Sequence, residues 1–63
     1  MNEYEIIFSM FCIVGENKIS TKNHFSNCKA TIKGNNYEDA LKSFKVEKRN
    51  EGWHVVTLEE IMK

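Results

Sequence analysis

Cys12, His24, Cys28 and His54 are the side chains in this sequence best equipped for chemistry, because thiols and imidazoles serve as nucleophiles, general bases and metal ligands. Their spacing does not favour any of those uses. No pair has the close C-x₂-C or H-x₃-H separation of a zinc site, so no metal and no cofactor is expected. His24 and Cys28 fall on one face of a strand if the alternation is regular. Four residues along a strand span about 13 Å, too far for a thiol to bond an imidazole. The "GNN" at Gly34 to Asn36 lacks both the glycine spacing and the Lys-Ser/Thr of a phosphate loop. The chain is therefore not expected to be an enzyme, and each cysteine reads as a packing residue. A Cys12–Cys28 disulfide is conceivable if the two lie opposite each other, but a reducing compartment disfavours it.

A second constellation is basic. Lys22, Phe25, Lys29 and Lys33, with Lys18 before them, interleave an aromatic ring with ammonium groups, the pattern of a stacking platform for single-stranded nucleic acid or RNA. Lysines on an edge strand also block sheet-to-sheet pairing, and that is the more economical account. Lys42, Lys45, Lys48 and Arg49 read as a solvated helix face. Residues 1–16 carry a net charge of −3, residues 17–50 carry +5 and residues 51–63 carry −2, so the formal total is zero. A neutral total argues against a dedicated DNA binder and against an acidic DNA mimic. Nucleic acid is kept only as the alternative partner.

The elements that must position these residues follow from local pattern. Glu3 to Val14 is aromatic and β-branched, which predicts a strand. "GENK", Gly15 to Lys18, signals a turn. His24 to Ile32 alternates, with Ser26, Cys28, Ala30 and Ile32 facing one way and Phe25, Asn27, Lys29 and Thr31 the other. Placing Cys12 opposite Cys28 centres the hairpin near Ser20 and leaves a loop of roughly seven residues. Asn36 suits a helix N-cap, with Glu38 and Asp39 in the first turn. Tyr37, Ala40, Leu41 and Phe44 follow the one-sided helical spacing, and Gly52 is a stop, which predicts a helix over Tyr37 to Asn50. Trp53 to Met62 reads as a third strand running into a tail. The order β, β, α, β makes the last connection a crossover. The expected fold is α+β, a ββαβ single domain over residues 1–63, with a three-stranded sheet in order 2-1-3 and one helix on one face.

One helix cannot cover both faces of that sheet. "YEIIFSMFCIV", Tyr4 to Val14, is apolar on both. Its even residues, with Cys28, Ala30, Ile32, Val56 and Leu58, are assigned to the helix side. Ile7, Phe11, Ile13, Phe25, Trp53 and Val55 are assigned to a bare face. Strand propensity alone could make a central strand apolar on both sides, with the stems of Lys29 and Lys33 shielding part of it. The sharper expectation is a contact surface, because contiguous exposed apolar patches mark interaction sites. Burying Ile7, Phe11, Ile13 and Val55 would contribute roughly 6–12 kcal/mol at about 1.5–3 each. Association costs about 4–15 kcal/mol, so a symmetric homodimer that uses the patch twice, or a partner with its own anchors, is expected.

Size and targeting agree with a small contact protein. A chain of 63 residues buries only about 60% of its unfolded surface, so its stability is marginal. The apolar run is too short to span a bilayer, which takes about 20 residues. Its acidic "MNEYE" start is unlike a signal peptide, so a cytoplasmic location is expected, without a membrane.

The layout of two strands, "KGNNYEDALKSFK" and "GWHVVTLEEI" is similar to small accessory proteins encoded by tailed phages. In those a hairpin precedes an N-capped helix with an acidic first turn and an Ala-Leu core pair, here Asn36, Glu38, Asp39, Ala40 and Leu41, and a strand closes the fold. The likeness covers Tyr4 to Ile61 and transfers no catalytic residue. "NYEDAL" also resembles the helix start of partial HicB-type antitoxin domains, although their glycine-bearing second strand is missing. The phage resemblance implies a non-enzymatic protein that binds and inhibits a host protein or defence component, in the host cytoplasm.

Overall fold

The computed structural model describes residues 2–62. Strand β1 (Asn2–Gly15) and strand β2 (Lys18–Gly34) form a long antiparallel hairpin. Helix α1 (Tyr37–Asn50) leads to strand β3 (Trp53–Thr57), and a short helix α2 (Leu58–Met62) follows. The sheet order is β2-β1-β3, with both neighbours antiparallel to β1, which is the α+β, ββαβ arrangement expected.

The hairpin turns tightly. Gly15 pairs with Lys18 across the two-residue turn Glu16–Asn17, and Asn17 takes the left-handed conformation, φ 59°, that asparagine tolerates. The long loop centred on Ser20 does not form. The surplus length of β2 is absorbed inside the strand. One extra residue sits opposite the Phe8 to Met10 step, where Asn27 has φ 56°, and a larger irregularity falls between His24 and Ile19. There the Ser20 hydroxyl accepts hydrogen bonds from the backbone N–H groups of Lys22 and Asn23, at 3.2 and 3.0 Å. Cys28 consequently lies opposite Phe8, and Cys12 opposite Trp53, so the two thiols are free and four residues apart along β1.

Helix α1 starts where the Asn36 carboxamide accepts the Asp39 N–H at 2.8 Å, with Glu38 and Asp39 in the first turn and Lys48 and Arg49 in the last. It ends on Gly52, whose N–H donates to the Arg49 carbonyl and whose φ of 96° turns the chain out of the helix toward β3. The Gly52 carbonyl in turn accepts the Ile13 N–H at 2.9 Å, which ties the helix end to the central strand. Ile6, Phe8, Ile32, Ala40 and Val55 are the buried core, and Tyr4, Met10, Cys28, Ala30, Tyr37, Leu41 and Phe44 pack against it. Edge-on ring pairs, Tyr4–Tyr37 and Phe8–Phe44, couple β1 to α1.

The last segment departs from a continuous strand. Thr57 is buried, and its hydroxyl accepts the Glu60 N–H, capping α2. The Glu60 carboxylate pairs with the Lys45 ammonium on α1, so α2 folds back beside the first helix. That ammonium holds the Glu60 carboxyl below its ordinary range. Burial, and then the Glu59 and Glu60 charges, push the Tyr37 phenol up.

Candidate functional site

Residues directly opposite one another in a sheet share a face, so the register fixes what each face carries. Even residues of β1 point to α1. The other face is a ladder built on the odd ones. Lys33 lies opposite Glu3, Thr31 opposite Glu5, Lys29 opposite Ile7, His24 opposite Phe11 and Ile19 opposite Ile13. From β3, Val56 lies opposite Ser9 and His54 opposite Phe11. The paired charges gather toward one end of this face, with Lys29 opposite Ile7, and the aromatic and aliphatic side chains toward the other. Lys33 reaches Glu3 at 3.6 Å at one end. At the other, the Phe11 ring stacks on His24 with centroids 5.5 Å apart, flanked on its second side by His54. Helix α1 packs on the opposite face, and of α2 only Leu58 and Glu59 come near this ladder, beside Glu5 and Ile7. Ile7 is 41% exposed and Ile19 43%, while Phe11, Ile13 and Val56 are half-buried.

Three of the six residues expected on the bare face belong there, namely Ile7, Phe11 and Ile13. Val55 does not. It lies opposite Met10, on the helix side, and is only 2% exposed. Trp53, opposite Cys12, is on the helix side as well. The two faces of β3 are inverted relative to expectation. Thr57 is buried, Val56 takes the bare face, and Leu58 leaves the sheet as the first residue of α2. The cause is the Gly52 contact with Ile13, which sets the register one residue away from the one that would bury Val56. Phe25 is the third correction. The Asn27 bulge places it opposite Met10, on the helix side but beyond the helix's cover, 54% exposed and 5.5 Å from the Trp53 ring. Val14, expected in the core, is exposed past the end of the helix.

The same bulge separates the basic residues considered for nucleic acid. Lys29 and Lys33 are on the bare face, Phe25 is on the other, and Lys33 is paired with Glu3. Lys22 lies in the irregular turn held by Ser20. These four do not form one aromatic and cationic surface. His24 and Cys28, expected on one face, are on opposite faces for the same reason. Among the described residues no three His, Cys, Asp or Glu side chains gather as a metal site. Also among them, no helix is long and apolar enough to cross a membrane.

Sequence reasoning missed Ile19, Val56, His24 and His54 as parts of the bare face. A signal for His24 was present, since asparagine at position 27 tolerates the left-handed conformation of a bulge. A second concavity, between α1 and β3, is lined by Leu41, Val46, Trp53 and Val55 with Lys42 and Arg49 at its rim. Its one acid–base contact is the Lys45–Glu60 pair that fastens α2. Comparison with protein-family models, curated proteins and solved structures finds no match.

Proposed function

We propose that this chain is a non-enzymatic binding protein of the phage accessory type, acting by occupying and inhibiting a host protein. The observation that carries the reading is the uncovered apolar strip of Ile7, Phe11 and Ile13, extended by Ile19 and Val56, on a sheet with a helix on its other face only. A 17-residue edge strand adds a second contact element. Strand β2 pairs only with β1, so its outer edge offers backbone donors and acceptors to an added strand. Its four lysines and lack of acidic residues suit an acidic extended segment.

Immobilised protein exposed to a bacterial host lysate tests this directly. The wild type is expected to retain a host protein. Loss of that protein with Phe11→Asp assigns the contact to the sheet face, and retention assigns it to the β2 edge. Capture of nothing by the folded wild type argues against the reading.

A further inference from the structure

The uncovered sheet face is self-complementary, and we propose that in the free protein it is covered by a second copy of this chain in a face-to-face symmetric dimer. This rests on the reading of that face as a contact surface and names its occupant.

Surface area sets the scale. The chain exposes 4949 Å². A folded monomer of 7.4 kDa is expected to expose about 4,200 Å². The excess, roughly 700 Å², approaches the about 800 Å² that each partner contributes to a standard interface. The radius of gyration, 11.8 Å, likewise exceeds the about 10.6 Å expected for a compact chain of this length. The molecule has more surface than a compact chain of its size, and the exposed Ile7 and Ile19 place part of it on this face.

Charge selects the occupant. Glu3 and Glu5 on β1 face the same way as Lys29 and Lys33 on β2, so these charges balance, with Ile7 opposite Lys29 and with Phe11, Ile13 and Ile19 toward the hairpin turn. A nucleic acid needs a positive excess, which the face does not offer. A second copy needs only that the pattern match itself. A two-fold axis running along the strands, between β1 and β2, lays β1 of one copy over β2 of the other. Glu3 of each copy then meets Lys33 of the other, Phe11 meets His24, and Ile13 meets Ile19. Acid falls on base at Glu3 and Lys33 and apolar on apolar at Ile13 and Ile19, while Ile7 meets the alkyl stem of Lys29, in the aligned packing usual for two sheets about 10 Å apart. The outer edges of both β2 strands stay open, which leaves the host protein a place on the dimer.

Light scattering and sedimentation equilibrium on purified protein test the proposal, with circular dichroism checking the fold. The wild type is expected near twice 7.4 kDa, and folded Phe11→Asp near one chain. Glu3→Lys alone and Lys33→Glu alone are each expected to weaken self-association about tenfold, since each sets like charges together twice. An equimolar mixture of those two variants is expected to recover it, because the reversed charges then meet across the interface. This readout does not depend on Phe11→Asp folding. A wild type that stays monomeric to millimolar concentration overturns the proposal, as does a dimer that survives Phe11→Asp or a mixture no tighter than its components. A monomer that still loses host-protein capture with Phe11→Asp would overturn the dimer alone and leave the proposed function standing. A folded monomer that captures nothing would remove both.

Discussion

Phe11 and Val55 are two apolar residues of one sheet, and a carboxylate at each has opposite consequences. Val55 is in the core against Met10, so Val55→Asp leaves a charge buried without a partner, at a cost of roughly 3–5 kcal/mol. That consumes most of the stability of so small a chain, and loss of cooperative thermal unfolding is the expected result. Phe11→Asp places the charge on the uncovered face and is expected to leave the circular dichroism spectrum unchanged. Glu60 provides a pH-dependent case. Its carboxyl is held below the ordinary value of 4.5 by Lys45, first through a hydrogen bond. A depressed acid contributes stability above that ordinary value and loses it as pH falls through the lower, folded one. The pair is partly exposed, so Glu60→Gln should cost only about 0.5 kcal/mol at pH 7. Urea titrations of both proteins should converge below pH 4.5, and a difference that grows with acid would contradict the assignment.

At the scale of elements, helix α1 was legible because its signals are local. Asn36, the acidic first turn, the Tyr37, Ala40, Leu41, Phe44 spacing and Gly52 each act within one or two turns, and its bounds match those expected from sequence. The seating of α1 on the sheet depends on Gly34. A Cβ there would lie 2.7 Å from the Ala40 backbone nitrogen and 2.8 Å from its Cα. Backbone cannot rotate away as a side chain can. Gly34→Ala is therefore expected to lower stability by about 1–3 kcal/mol, read as a drop in the urea midpoint. The strands were less legible. Val55 and Val56 are interchangeable to any pattern of alternation, and a single extra residue at Asn27 reverses the faces of Phe25 and His24, until the second irregularity restores the original parity at Ile19.

For the whole molecule, the consequence is one of surface and volume. With α1 on one face and nothing on the other, a 63-residue chain buries few side chains, and the largest of them are not completely enclosed. The proposed self-association through the uncovered face would make stability depend on concentration. The thermal midpoint of the wild type is expected to rise by several degrees over a hundredfold increase in concentration, and that of Phe11→Asp to stay constant. Equal behaviour of the two would separate stability from that face.

The sequence by itself determined the α+β class, the ββαβ order, the bounds of α1 and the placing of Ile7, Phe11 and Ile13 on the sheet face away from α1. Each of these depends on local propensity or on the counting of apolar residues against one helix. Only the tertiary structure decided which companions share that surface. The Gly52–Ile13 hydrogen bond fixes the register of β3, and the Asn27 bulge fixes that of β2. Together they remove Val55, Trp53 and Phe25 from the face and bring Val56, His54 and His24 onto it, and the separate irregularity between His24 and Ile19 places Ile19 there. Register is a pairing between distant segments with a period of two residues, so a one-residue difference that leaves every local preference satisfied exchanges the two sides of a strand.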